Sequence, residues 1–108
     1  MKVFFLVLFV VHGLIHILGF VKAFNSEKVP QLTQDIPPPL GLLWLSDSIL
    51  FIAVAVLYYF DISSWWLFAA AAVIVSQILI ILFWRDAKFG TIANILLCIP
   101  IILAAAGI

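Results

Sequence analysis

His12 and His16 stand in the middle of segment 3–24, which is otherwise almost continuously apolar. A spacing of four places both imidazoles on one face of a helix, about 6 Å apart along its axis. If that helix crosses a membrane, two ionisable rings enter hydrocarbon. A charged side chain there costs about 2.5 to 3.5 kcal/mol on insertion scales, and such groups face a partner or a cavity. Imidazole and carboxylate together bind divalent transition metals, and Asp47 offers the third group of a metal set with His12 and His16. The same groups suit two other chemistries. A buried His and Asp in contact can pass a proton near neutrality, the basis of a proton or ion relay. They can also hydrogen-bond the polar end of a small amphipathic ligand, such as a quinone or a lipid, whose body packs on aromatic side chains. Haem is the less favoured cofactor, because two His on one helix cannot ligate both faces of one iron.

Composition dictates where these groups must reside. The chain has 108 residues, 68% of them hydrophobic and 9% charged, with a mean hydropathy of +1.38. Soluble domains carry roughly 25% charged residues, so this composition implies an integral membrane protein. A span needs about 20 apolar residues, which leaves room for four helices and no separate soluble domain. The formal net charge is zero and there is no basic run, which argues against nucleic acid as a partner. The single cysteine, Cys98, cannot form an internal disulfide.

Four apolar blocks follow one another, predicting an all-α fold: an integral membrane four-helix bundle, one transmembrane domain over 1–108 with helices at about 3–24, 40–60, 64–85 and 91–108. Lys2 and the apolar run after it imitate a secretory signal, but the block is long enough to span and is read as a helix. Polar residues from Asn25 to Lys28 begin a loop that ends at Pro37, Pro38 and Pro39, expected to be a semi-rigid strap outside the hydrocarbon. Ser63 or Ser64 is expected to cap the third helix and Thr91 the fourth, and Pro100 to kink or locally unwind the last one. Trp44 and Trp84 fall near one expected interface, and Tyr58, Tyr59, Trp65 and Trp66 near the other, as anchors at headgroup level. Lys22, Lys28, Arg85 and Lys88 share one side against Lys2 on the other. The positive-inside rule therefore puts the first and third loops in the cytoplasm and both termini in the periplasm.

Depth brings the polar groups together. At 1.5 Å per residue, His16 lies about 12 Å from the cytoplasmic end of its helix and His12 about 18 Å, while Asp47 comes to about 10 Å and Gln77 to about 12 Å. Asn94 falls at a similar level, with Cys98 a turn deeper near His12. A stripe of His12, His16, Gly19 and Ala23 on the first helix, Ala70 with Gln77 on the third, and Asn94, Cys98 and Ala105 on the fourth are the faces expected to point inward. The expected ligand-binding or relay set is His12, His16, Asp47, Gln77 and Asn94. The competing explanation is that these side chains are packing glue between membrane helices, at about 0.6 kcal/mol each. Ser46, Ser48, Ser76 and Thr91 are expected to satisfy helix carbonyls, and Cys98 to be a small packing residue. Residues 84–91 are expected to form a solvated turn whose charges stand where they would gate entry to the cluster.

The string His12-Gly13-Leu14-Ile15-His16, the stretch Gln31-Leu32-Thr33-Gln34 and the turn Asp86-Ala87-Lys88-Phe89-Gly90-Thr91 resemble a group of uncharacterised bacterial four-helix membrane proteins. The likeness covers nearly the whole chain. In some members a similar region precedes a soluble domain. The resemblance implies a bacterial inner-membrane protein and no assigned chemistry.

No nucleophile constellation, glycine-rich phosphate loop or CxxC pair appears, so the sequence specifies no reaction. The expectation is a multi-pass protein whose intramembrane His/Asp site binds a divalent transition metal or a small amphipathic ligand. The alternatives are a proton or ion relay, an accessory subunit of a transport complex, and a structural assembly partner. Besides the lipid bilayer, the partners expected are further copies of the chain or a larger membrane complex.

Overall fold

Helix formation in this chain follows its apolar blocks closely, because long runs of Leu, Ile, Val, Phe and Ala contain few helix breakers. The computed structural model describes residues 2–107 and is all-helical apart from its connecting segments, with no strand among the described residues. Helix α1 spans Lys2–Phe24, α2 Pro38–Tyr59, α3 Trp65–Leu82, α4 Trp84–Ala87 and α5 Gly90–Ala105, with a short 3-10 turn at Ser26–Lys28. The shape is elongated, 44 × 21 × 21 Å. Three helices, α1, α2 and α3, are long and apolar enough to cross a membrane, and α5 is a shorter apolar helix.

Several boundaries differ from expectation for identifiable reasons. Pro38 and Pro39 are not part of the strap; they open α2, where the missing proline N–H is one that a helix start leaves unbonded anyway. Ser64 occupies the cap position of α3 and Phe89 that of α5, neither with a side-chain cap bond, and Thr91 lies inside the first turn of α5. The expected third helix is broken at Phe83, so its last turn becomes the separate α4. Pro100 is buried within α5, and the helix is assigned as continuous through it rather than unwound. α5 stops at Ala105, short of the expected 108, because Gly107 takes a left-handed φ of 76° that ends the helix; Ile108 lies outside the described residues.

Helix α1 packs along α2 and against α5, while α3 packs against α2 and α5. The buried residues of α1 include Phe5, Phe9, His12, His16 and Gly19, the alternating spacing of three and four that keeps one seam on a neighbouring helix. Gly13 meets Phe51 and Ser48, Gly19 meets Trp44, and Gly41 meets Ala23, which is the register of an antiparallel α1/α2 pair and sets His16 opposite Asp47. A Cβ on Gly19 would fall inside the Trp44 indole. Gly19→Ala is therefore expected to lower stability by about 1 to 2 kcal/mol, because the atoms met lie at the root of a buried indole packed on His16 and Phe83. Thermal unfolding in detergent checks this.

One apolar core, centred on Phe9, Phe51, Val54, Ala69, Ala72 and Leu97, fills the end of the fold near Lys2. A smaller one joins Ile36, Trp44, Leu79, Ile80 and Phe83 at the opposite end. The polar cluster lies between them. Away from these cores the helices present large apolar side chains, among them Val3, Ile49, Ile74, Ile81, Ile95 and Ile102, each more than 60% exposed.

Candidate functional site

The polar residues between the two cores form a hydrogen-bonded chain across α1, α3 and α5. On α1, His16 Nδ1 lies 2.7 Å from the carbonyl oxygen of His12, one helical turn earlier. A carbonyl only accepts, so Nδ1 carries the hydrogen and donates it. In the neutral ring Nε2 is then bare, and the Ser76 hydroxyl 2.8 Å away donates to it. Asn94 Nδ2 donates to Ser76 Oγ and to Gln77 Oε1, both at 3.1 Å. Gln77 Nε2 donates in turn to Thr91 Oγ1 at 3.1 Å. Asn94 Oδ1 is left facing His12 Nε2 at 2.9 Å and accepts its N–H. The two imidazoles stand edge to face, with centroids 4.6 Å apart. Each hydrogen of the His12, His16, Ser76 and Asn94 side chains in this network has an acceptor, which is what burial of polar groups demands.

Asp47 is the exception. Its side chain is fully buried, and its Oδ2 lies 3.5 Å from His16 Nε2, beyond good hydrogen-bond length. Neither carboxylate oxygen has a hydrogen-bond partner among the described residues. Leaving a buried polar group unpaired costs about 1 to 3 kcal/mol, so Asp47 is held where stability alone does not favour it.

His12, His16, Gln77 and Asn94 thus meet, and Asp47 stands beside His16. Among the described residues, no group of three or more His, Cys, Asp or Glu converges as a metal ion requires. The expected metal set of His12, His16 and Asp47 is not among such groups, and both ring nitrogens of His16 are already hydrogen-bonded, to the His12 carbonyl and to Ser76. Ser46 does bond a helix carbonyl, that of Leu42 at 2.9 Å. Ser76 does not; it is the hub of the network and fully buried. The inward face of α3 is Ala69, Ala72, Val73, Ser76 and Ile80, one residue round from the expected Ala70 and Gln77. Ala69 to Ala72 are four consecutive alanines, so the spacing of small residues does not single out the face of Ser76. On α5 the buried face is Asn94, Leu97 and Ile101; Cys98 is half-buried against the apolar core, and Ala105 is exposed.

A cavity of about 320 Å³ opens beside the two histidines, walled by Trp44, Ile80, Phe83 and Phe89 and bordered by Gly90 and Ala93. Trp44 is therefore not an interface anchor: it is 7% exposed, with its ring 5.1 Å from His16. Over the cavity lies the segment between Lys28 and Pro38, tucked in at Val29 and Ile36. Asp86 fastens it. Its Oδ2 accepts the backbone N–H groups of Thr33 (2.9 Å) and Gln34 (2.7 Å), and its Oδ1 accepts the Thr33 hydroxyl at 2.7 Å. The charges expected to gate entry are represented here by one carboxylate that holds the strap down.

Partial desolvation pushes the Asp86 carboxyl up, but the hydrogen bonds from Thr33 and Gln34, with the Arg85 charge, outweigh it and hold the group below the usual carboxylate range. A carboxyl lowered on folding contributes stability above its unfolded value and loses it as the pH falls through the folded one. Amide exchange at Thr33 and Gln34, corrected for intrinsic rates, is therefore expected to be slow at neutral pH. It should accelerate only below the ordinary Asp value of about 3.9. Asp86→Asn should accelerate it at neutral pH and remove the acid step.

No protein-family model, curated protein or solved structure matches this chain.

Proposed function

We propose that this chain is a four-helix protein of a bacterial inner membrane, crossed by α1, α2, α3 and α5, whose His/Asp site binds a small amphipathic molecule in the cavity beside His12 and His16. The observation that carries this reading is the cavity itself: one polar edge formed by the histidines, with walls that are otherwise aromatic and aliphatic. That is the usual make-up of a small-ligand pocket, and about 320 Å³ falls at the small end of the range. Membrane placement is supported by the three long apolar helices and by the large apolar side chains on their outward faces, which water would not tolerate over so wide an area. The positive-inside rule puts residues 26 and 88 in the cytoplasm and residue 63 and both termini opposite. Cysteine labelling at introduced sites tests that arrangement, and labelling of 26 and 63 from one side would contradict it.

Titration with 2-naphthol tests binding. Saturable uptake of a single molecule per chain is expected, and Ala93→Leu, which fills the cavity without burying a polar group, should abolish it. Equal, unsaturable partitioning into both proteins would contradict the reading.

A second reading, a proton relay, is favoured by the position of Asp47. His16 Nε2 lies between the Ser76 hydroxyl and the Asp47 carboxyl, so a proton arriving on Asp47 has one imidazole nitrogen within reach. Proton flux in proteoliposomes that is lost in Asp47→Asn is the expected result for a relay, and absence of flux would reject it.

A further inference from the structure

We infer that the cavity selects a neutral ring compound bearing a hydroxyl, a phenol or hydroquinone, over its carbonyl or ether counterparts, because the polar atom it presents is the bare Nδ1 of His12. This rests on the cavity being a ligand site, as proposed above. The tautomer follows from the order of the hydrogen bonds. Ser76 gives its one hydrogen to His16 Nε2, so the Asn94 atom 3.1 Å from its oxygen is the amide nitrogen, and Asn94 turns its oxygen to His12. That oxygen can only accept, so His12 carries its hydrogen on Nε2, and Nδ1 is an acceptor in the neutral ring. His16 is the opposite tautomer, fixed by the His12 carbonyl.

His12 Nδ1 bonds to no other described residue, and it is not among the fully enclosed unpartnered atoms, which are Gln34 Oε1, Trp44 Nε1 and the two Asp47 oxygens. His12 itself is only 4% exposed and lines the cavity. Gly90 keeps that edge of the ring open. A Cβ there would lie 3.6 Å from His12 Cε1, the carbon between the two ring nitrogens, and 2.9 Å from Ile80 Cδ1. The rest of the lining makes the ligand neutral as well as donating. It contains no Lys or Arg, and its one carboxylate, Asp86, has both oxygens engaged by the strap. Trp44, Phe83 and Phe89 supply the faces on which a flat ring packs.

The test compares three probes of similar size by calorimetry in one detergent, with free concentrations corrected for partitioning: 2-naphthol, 2-methoxynaphthalene and 1,4-naphthoquinone. Only the first can donate. An acceptor stranded opposite a ligand without a donor should weaken binding about tenfold or more. 2-Naphthol is therefore expected to bind at least that much more tightly than the other two, and Gly90→Ala to weaken it. Nitrogen NMR of labelled histidine at about pH 8, above the ordinary imidazole range, gives a second readout. It should find Nδ1 bare on His12 and Nε2 bare on His16, and 2-naphthol should shift the His12 Nδ1 signal. Equal affinity for all three probes would overturn the selectivity while leaving the ligand site standing. A preference for the quinone, or a proton on His12 Nδ1 in the free protein, would overturn it through the tautomer. Failure of all three probes to bind would remove the ligand site and the selectivity together.

Discussion

Asp47→Asn is expected to raise the stability of the protein by about 2 kcal/mol, the scale of relieving one buried, unpartnered carboxyl. The sequence alone suggests the reverse. Removing a carboxylate opposite His16 looks as though it would strand the imidazole. His16 is not stranded, since Ser76 occupies its Nε2 and the His12 carbonyl its Nδ1. Both Asp47 oxygens, by contrast, are fully buried and lack a partner among the described residues. Asparagine keeps the shape and cannot ionise, so the larger cost of burying a charge is removed and only that of a neutral amide remains. Thermal unfolding in detergent reads the effect. A loss of stability would mean that Asp47 and His16 are held as an ion pair, whose breaking leaves a buried charge uncompensated. The same variant separates the two functional readings. Asp47 does not line the cavity, so 2-naphthol binding should persist, while relay through His16 should cease.

Asn94→Ala is expected to act in the opposite direction, lowering stability by about 3 kcal/mol. Three bonds end on this side chain, to His12, Ser76 and Gln77. Interhelical hydrogen bonds in membranes average about 0.6 kcal/mol and reach about 1.7, so the bonds alone account for roughly 2. The void left by truncation supplies the remainder. His12 Nε2 keeps only the Ser76 oxygen, 3.5 Å away. The imidazole is then free to exchange tautomers, so the distinct histidine NMR signals should merge. Ser76→Ala should cost less, because a single hydroxyl leaves. A variant of Asn94 as stable as the parent, with His12 unchanged, would show that the network does not hold α1 to α5.

Much of the architecture was legible in the sequence because the apolar blocks are long and their interruptions abrupt. The α1 seam was legible too: His12, His16 and Gly19 stand out against aliphatic neighbours, and glycine opposite Trp44 is what close antiparallel packing requires. The inward faces of α3 and α5 were harder to read. Both helices are apolar on every side, so the periodicity that marks a buried face in a water-soluble helix is absent. Gln77 drew attention as the largest polar group on α3, while Ser76, one residue away, sits at the centre of the network. Hydroxyls bond their own helix so often that a serine carries little signal until a partner is visible. Depth counting placed Asp47 beside His16 but could not tell contact from the observed 3.5 Å, which decides between a metal ligand and an unpaired carboxyl. Folding of the strap onto Asp86 depends on backbone N–H groups, which no side-chain pattern reveals.

Native mass spectrometry of the protein extracted from membranes in mild detergent tests occupancy of the site most directly. The expected result is that the wild-type chain retains a single small neutral molecule, released on activation, and that Ala93→Leu, with the cavity filled, retains none. A wild-type protein that carries no such molecule and takes up none of the three ring probes would contradict the assignment of the cavity beside His12 and His16 as a ligand site.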